Sequence, residues 1–370
     1  MTIFELKTNS SLYDYLRMSS LAITPVYFLV PGDINNVTGG YAYDRRLLAE
    51  LHLLGLNIQL IELGDSFPSP DANDWSDANS KLANLPDKSV VVVDGLAFGV
   101  MGQLAQDYAQ RLKFIALCHH PLALETGLGV EERRHLHQSE ELAIAEAAAV
   151  LVTSKNTANI LAQDFSVPSE KIRIALPGTD SGQFAPCEGQ PPVLLTVATL
   201  TRRKAHDILI DAFSQLTHLP WQARFVGCDD FDIEWANYLR DKVSSYSLED
   251  RVSFVGKQQD ISSEYLNADI FVLPSLFEGY GMAFAEAISF GLPIIAAHTG
   301  SVPDVVPSNA GILVPPADAN ALANSLAKLL TNSDERKQLQ LGAQIAAKNL
   351  PTWLETAKSV FQLIQEVNKQ

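Results

Sequence analysis

The sequence contains little cysteine, no long apolar run and no excess of basic residues. Its three cysteines, Cys118, Cys187 and Cys228, form no CxxC pair. They predict neither a disulfide framework nor a zinc site and are typical of a reducing compartment. No run approaches the ~18 apolar residues of a membrane span. The first residues, MTIFELKTNSSLYDYLRMSSLAIT, lack an apolar core, so we predict no signal peptide and a cytoplasmic protein.

The charge balance narrows the choice of partners. With 27 Lys and Arg against 43 Asp and Glu, the formal net charge is -16. A phosphate backbone attracts basic surfaces, so the acidic net charge argues against nucleic acid as a partner. The acidic total also gives no support to contact with an anionic membrane surface. The 370 residues are 47% hydrophobic and 19% charged, which predicts a globular chain of two domains.

Short apolar runs rich in β-branched residues alternate with helical patterns. Such runs are typical of parallel strands buried on both faces, and the alternation predicts doubly wound α/β domains. The runs are PVYFLV, NIQLIEL, SVVVVDG, KFIALC, AVLVTS and IRIAL in the first half, and VLLTVATL, QARFVG, RVSFVG, DIFVLP, PIIAA and GILVP in the second.

A Gly- and Pro-rich stretch, Pro177–Pro192, separates the two series of strands. We therefore predict a Rossmann-like domain at residues 1–185, a second at 186–350, and a final amphipathic helix at 351–370. The carboxyl ends of two facing parallel sheets meet at the cleft between the domains, where we expect ligands.

The stretch LPSLFEGYGMAFAEAISFGLPIIA contains Glu278 and Glu286 eight positions apart. Between them, the segment Gly279-Tyr280-Gly281-Met282 leads from a strand into a helix. Amides at a helix start bind phosphate, glycine allows close approach, and a carboxylate accepts hydrogen bonds from neighbouring sugar hydroxyls. The alternative is that Glu278 caps the helix and Glu286 is merely solvated. A dinucleotide site is excluded, because Phe284 replaces the third small residue of that fingerprint.

Several motifs resemble one family in the same order along nearly the whole chain. The segment DIFVLPSLFEGYGMAFAEAISFGLPIIAAHTGSVPDVV closely resembles the E-x7-E region of the retaining family-4 glycosyltransferases, or glycosyl transferases group 1. VTGGYAYDRRLLAEL, HHPLALETGL and TRRKAHDILIDAF support the resemblance. It implies the two-domain GT-B fold, with the final helix crossing back to pack on the N-terminal domain.

The resemblance implies that a sugar passes, with retention of configuration, from a nucleotide-diphospho-sugar to an acceptor hydroxyl. The donor would be UDP-, GDP- or ADP-linked, and the acceptor a saccharide, a lipid or a small molecule. No cofactor or metal is expected. Two alternatives stay open: another GT-B sugar-nucleotide enzyme, such as an epimerase, or a catalytically silent sugar-nucleotide-binding protein.

Arg203 and Lys204 lie between a predicted strand and helix. Two such cations can neutralise a diphosphate leaving group, or form a solvated basic turn. The resemblance implies the first role, with Arg202 as a spare. Many relatives have Gly-Arg where this chain has Ala198-Thr199, and Gly in place of Ala205.

The resemblance also assigns the remaining donor contacts. Glu286 would bind the ribose, Glu278 the sugar hydroxyls, and Gly281 at the helix start the diphosphate. The backbone near Gly256 and Lys257 would face the nucleobase.

In the N-terminal domain, Gly39 and Gly40 precede a helix, which alone indicates only a helix entry. The resemblance implies that they close over the donor phosphate. It also implies that His119 points into the cleft beside the transferred sugar, with His120 as the second choice. His119 and Glu278 are thus the candidate catalytic residues.

Two other polar clusters carry no predicted function. The spacing of the histidines, including His135 and His137, matches no metal motif. The acidic segment VGCDDFD is interpreted as a solvated turn.

Overall fold

The computed structural model describes residues 25–36, 38–258 and 260–370. The N-terminal stretch considered as a signal peptide lies outside these residues, as does Val37 of the VTGGY motif. In the part of the chain that is described, no helix combines the length and the apolar character needed to cross a bilayer.

The first domain is built on a six-stranded parallel sheet with strand order β2-β1-β3-β4-β5-β6. Each strand coincides with one of the apolar runs of the first half of the sequence. The strands are β1 (Val26–Pro31), β2 (Ile58–Leu63), β3 (Val90–Asp94), β4 (Lys113–Cys118), β5 (Ala149–Val152) and β6 (Ile172–Ile174).

Helices connect these strands and cover both faces of the sheet. They are α1 (Gly39–Leu53), α2 (Ala72–Ala83), α3 (Gly95–Phe98), α4 (Gly102–Tyr108), α5 (Val130–Ala145) and α6 (Lys155–Asp164). Two hydrophobic clusters, one on each face of the sheet, form the core of the domain.

The second domain repeats the plan with strand order β12-β11-β10-β7-β8-β9, again all parallel. The strands are β7 (Val193–Val197), β8 (Gln222–Val226), β9 (Val252–Gly256), β10 (Ile270–Leu273), β11 (Ile294–Ala297) and β12 (Gly311–Val314). Its helices are α7 (His206–Ser214), α8 (Ile233–Ser245), α9 (Ser262–Leu266), α10 (Met282–Ser289), α11 (Val302–Val305), α12 (Ala319–Thr331) and α13 (Ser333–Ala346).

The prediction of doubly wound α/β domains is confirmed, but burial of every strand on both faces is wrong. In β2, Gln59, Leu60 and Glu62 are exposed. In β6, Ile174 is 37% exposed. These two strands are the edges of the first sheet. An edge strand has a neighbour on one side only, so the crossover helices cover it less completely.

In each sheet, one pair of neighbouring strands marks the point where the winding direction reverses. These pairs are β1 and β3 in the first sheet, and β7 and β10 in the second. Ligands of open α/β sheets bind in the crevice outside such a switch point, because the adjoining loops diverge there. The residues that follow β1, β3, β7 and β10 are therefore placed for binding.

The last helix, α14 (Trp353–Lys369), belongs to the core of the first domain. Thr352 and Glu355 form a capping box that fixes its start. Its apolar face, including Phe361 and Ile364, packs with Leu47 of α1. The predicted crossing of the final helix back to the N-terminal domain is thus confirmed.

We expect Ile364→Ala to lower the free energy of unfolding by about 2–5 kcal/mol, because it opens a cavity where α14 meets the first domain. Gln362→Ala is the matched control, since Gln362 lies on the exposed face of the same helix. Its effect should stay within about 0.5 kcal/mol. Urea unfolding of both variants measures the difference, and equal stabilities would contradict this account of the core.

Candidate active site

The loop after β10 leads directly into α10, whose N-cap is Gly281. Gly281 has a φ of 96°, and a Cβ there would lie 2.7 Å from Cδ2 of Phe284. Glycine is therefore required at this turn, both for its backbone conformation and for space. Because Gly281 is the cap, the alternative in which Glu278 caps the helix is wrong.

Glu278 lies in this loop and is only 5% exposed. Its Oε1 accepts a hydrogen bond from Lys204 Nζ at 2.6 Å, and its Oε2 lies 3.6 Å from Arg203 Nη1. Burial raises the pKa of Glu278, but Lys204 and Arg203 outweigh it and hold that pKa below its usual value. Glu278 is therefore a buried, ionised carboxylate between two cations.

Arg203 and Lys204 belong to a short 3-10 turn between β7 and α7. Ala205, which follows, has a φ of 53°. Alanine thus adopts the left-handed conformation, at a cost of about 1–2 kcal/mol. The turn is tied to the β10 loop, because Leu276 N–H donates to the Arg203 carbonyl at 2.8 Å.

Three contacts join the two domains around this cluster. Arg203 Nε lies 3.2 Å from Glu125 Oε1 of the first domain. The His120 ring packs against Phe277 with ring centroids 4.5 Å apart. Gly279 approaches the backbone of His119 so closely that a Cβ would lie 2.2 Å from its carbonyl oxygen. The cleft is closed at this point.

Glu286 lies in α10. The same alternative also required Glu286 to be merely solvated, and this is wrong. Its Oε2 accepts a hydrogen bond from the Tyr265 hydroxyl at 2.8 Å. Burial raises the pKa of Glu286 to about 7. Glu286 as a whole is partly buried.

In the first domain, His119 follows β4 and lies against the first turns of α1. Gly39 and Gly40 are the first two residues of that helix. A Cβ at Gly40 would lie 3.5 Å from the His119 ring. His119 Nε2 is 3.2 Å from Asp44 Oδ1 and 3.4 Å from Asp94 Oδ2. Among the described residues, this trio is the group whose spacing could also accommodate a metal ion.

The two histidines differ in their electrostatic surroundings. Burial lowers the pKa of His119, but hydrogen bonds with Asp44 and Asp94 outweigh it and raise that pKa to about 10. For His120, burial lowers the pKa to about 4. Its two ring nitrogens have no hydrogen-bond partner within the described part of the chain. The two carboxylates thus favour the charged form of the His119 ring, whereas burial favours the neutral form of the His120 ring.

Comparison with known proteins identifies the domain that carries Glu278 and Glu286. Residues 183–345 match the family model of glycosyl transferases group 1. The chain carries a glycosyl transferases group 1 domain. The match includes the loop after β7, the loop after β10 and the whole of α10.

Curated relatives are similar over part of their length. Mannosylfructose-phosphate synthase of Agrobacterium fabrum is 26% identical over 249 residues, which are 62% of this chain and 55% of that protein. D-inositol 3-phosphate glycosyltransferase of Salinispora tropica is 28% identical over 254 residues, 61% of this chain and 52% of that protein. The chain thus spans about half the length of these relatives.

Solved structures match the fold over nearly the whole chain. Sucrose-phosphate synthase from Thermosynechococcus elongatus has a TM-score of 0.80 at 22% identity, covering 93% of this chain and 99% of that one. Anabaena HepE in complex with UDP-glucose has a TM-score of 0.75 at 18% identity, covering 92% and 99%. The predicted GT-B fold, with two Rossmann-like domains, is confirmed.

The other predicted site residues of the group 1 domain come from the end of β9 and from the segment at the start of α10. Gly256 ends β9 with a φ of 76°, and no described atom lies within 4 Å of a Cβ built there. Lys257 follows it and is exposed. Tyr280 lines a cavity of about 480 Å³ between the domains. Met282 packs against the hydrophobic clusters of both domains. Within the described residues, neither Gly256 nor Lys257 forms a hydrogen bond or an ion pair with Glu278.

Sequence reasoning missed residues that the fold brings to the site. Asp94 ends a buried strand, so its position at the carboxyl edge of a parallel sheet was a usable signal. Asp44, Glu125 and Tyr265 gave no signal, because their roles depend on contacts between distant segments. Of the acidic turn interpreted as solvated, Asp232 caps α8 through the Trp235 N–H and Asp229 pairs with Arg240.

We expect Gly279→Ala to open the cleft, because its Cβ would overlap the His119 carbonyl oxygen. Small-angle X-ray scattering should show a larger radius of gyration for this variant than for the wild type. Gly129→Ala is the control, since Gly129 has an extended backbone with a φ of -65° and no described atom lies within 4 Å of a Cβ built there. An unchanged radius for Gly279→Ala would show that the closed contact does not hold the domains together.

The stability of the wild type relative to Glu286→Gln should fall as the pH rises from about 5 to 7. The folded protein keeps the Glu286 proton up to about pH 7, whereas the unfolded chain releases it near 4.5, so ionisation opposes folding. The loss should reach about 3 kcal/mol. Urea unfolding at several pH values measures it, with the exposed Glu170→Gln as control. A difference independent of pH would refute the raised pKa.

Proposed function

We propose that this protein transfers a sugar from a nucleotide-diphospho-sugar to an acceptor hydroxyl with retention of anomeric configuration. The observation that carries the proposal is the convergence of Arg203, Lys204 and Glu278 at the switch point of the group 1 domain. Two cations and one carboxylate there meet the start of α10, whose unpaired amides favour an anion. This set matches the needs of a diphosphate joined to a polyhydroxyl sugar.

In the proposal, the donor diphosphate binds Arg203, Lys204 and the amides at the start of α10, including Gly281. Negative charge grows on this phosphate as the glycosidic bond breaks, and nearby cations stabilise it. Arg203 is already held by Glu125 at 3.2 Å and Lys204 by Glu278 at 2.6 Å. The donor must therefore replace or share these carboxylate contacts when it binds.

Glu286 is proposed to bind the ribose and Glu278 the hydroxyls of the transferred sugar. Tyr265 engages one oxygen of Glu286, which orients the carboxyl and leaves its other oxygen to accept from a diol. The backbone near Gly256 and Lys257 is proposed to face the nucleobase. It lies at the carboxyl edge of the same sheet, two strands from β7.

The first domain is proposed to hold the acceptor, with Gly39, Gly40 and His119 bordering the transferred sugar. In this mechanism the departing phosphate oxygen takes the acceptor proton, so no separate protein base is needed. Closure of the cleft excludes water that would otherwise hydrolyse the donor. The reaction is proposed to need neither a metal nor a cofactor, and the protein to act in the cytoplasm.

UDP is the first nucleotide to test, ahead of GDP and ADP. The HepE structures contain UDP, UDP with glucose, and UDP-glucose. HepE shares the fold of this protein, and the elements proposed to bind the donor lie within the part of this chain that HepE matches. A saccharide or a small phosphorylated polyol is the acceptor class that the relatives' names favour.

We expect Arg203→Ala to weaken nucleotide binding at least tenfold, because it removes a charge-assisted contact to the diphosphate. Arg202→Ala is the matched control. This neighbouring arginine is 58% exposed and faces Trp235 and Asp232 instead of Glu278, so its effect should stay within about twofold. Calorimetric titration with UDP, GDP and ADP measures both variants.

Lys204→Ala and Glu286→Ala should likewise weaken binding, whereas Glu278→Gln should mainly lower turnover. Equal affinities of the Arg203→Ala and Arg202→Ala variants would refute the site assignment. Binding without release of free nucleotide across a broad set of acceptors would favour a silent sugar-nucleotide-binding protein.

A further inference from the structure

Three segments of the first domain bring one imidazole against two buried carboxylates. Asp44 comes from the second turn of α1, Asp94 from the end of β3, and His119 from the end of β4. Both carboxylates lie within 3.4 Å of the same ring nitrogen, Nε2. A hydrogen on Nε2 therefore points towards the two carboxylates, which orients the plane of the ring.

The charges of this trio make a neutral ring unfavourable. Asp44 is fully buried and Asp94 is 3% exposed. Within the described ranges, neither carboxylate forms a salt bridge with Lys or Arg. Asp94 Oδ1 accepts from the Leu96 N–H, but Asp44 Oδ2 has no partner among the described residues. Burial raises the pKa of Asp44 to about 6, which is below that of His119. Near neutral pH, a proton on the imidazole therefore reduces the net charge of the trio from about -2 to about -1, and thereby the cost of burying it.

We propose that Asp44 and Asp94 act as a positioning pair that fixes His119 through Nε2 and keeps its ring protonated, so that Nδ1–H serves as a hydrogen-bond donor to a ligand in the cleft. The His119 side chain is 23% exposed, so the ring is reachable from the cleft. This inference rests on the proposed function for the identity of the ligand, an oxygen of the sugar or its leaving phosphate. The protonation state of the His119 ring does not depend on the proposed function.

The other groups around the ring do not compete for this proton. Tyr43 presents its ring to His119 with centroids 5.1 Å apart, and its hydroxyl donates to the Ala175 carbonyl. Burial and then Asp94 raise the pKa of Tyr41 to about 12, so it stays neutral. Arg45 donates to the carbonyls of Ile34 and Asn36.

The adjacent His120 shows what the same residue type does without such a pair. It packs against Phe277, and within the described residues its ring nitrogens have no hydrogen-bond partner. His120 is thus neutral while His119 is charged, although the two share one loop. The difference is carried by Asp44 and Asp94 and not by the loop itself.

Nitrogen-detected NMR of the histidine rings in the full-length protein tests the proposal without any substrate. We expect wild-type His119 to remain doubly protonated well above pH 8. In Asp44→Asn and in Asp94→Asn, its pKa should fall by at least one unit, because each variant removes one carboxylate. His119→Gln assigns the resonance, and the exposed Asp107→Asn is the control that should leave it unmoved.

Wild-type His119 titrating near its ordinary pKa of about 6.5 would overturn the proposal, and this result does not depend on any variant folding. Stoichiometric broadening of the His119 signal by micromolar Mn²⁺, lost in His119→Gln, would also overturn it, because the trio would then be a metal site. If the ring is charged as expected while no nucleotide binds, the proposed function fails and the positioning pair stands.

Discussion

The buried ion pair between Glu278 and Lys204 is the interaction on which the candidate site depends. It joins the loop after β7 to the loop after β10, the two segments that diverge at the switch point of the second sheet. A backbone bond reinforces the same junction, since the Leu276 N–H donates to the Arg203 carbonyl. A buried carboxylate left without its cation costs several kcal/mol, so these loops hold one arrangement.

The cleft adds a second constraint, because its closed state uses the cation that a ligand would need. Glu125 crosses from the first domain to Arg203. Any anion that binds Arg203 therefore competes with a contact between the domains. Ligand affinity and domain closure are linked through one guanidinium, and a ligand gains closure only if its own bridging contacts exceed the one it displaces.

The position of nearly every strand could be predicted from the sequence, because each parallel strand corresponds to a short, continuous apolar run. Edge exposure was not predictable, since it depends on strand order. In the site, Glu278, Gly279 and Gly281 could be recognised from the sequence because they form a local motif before α10. The contact between His119 and Asp44 could not be predicted, because 75 residues separate them and no local sequence pattern indicates that they are close in the fold. The same holds for Arg203 and Glu125.

The position of α14 in the chain has a consequence for biosynthesis. The helix supplies Trp353, Phe361 and Ile364 to the core of a domain whose last strand ends at Ile174. During synthesis on the ribosome, this apolar surface of the first domain is covered only after the entire second domain has been translated. At ~5–20 residues per second the wait lasts on the order of ten seconds or more. During that interval the nascent chain exposes an apolar, aggregation-prone surface. A premature stop codon before residue 353 would leave this surface permanently exposed.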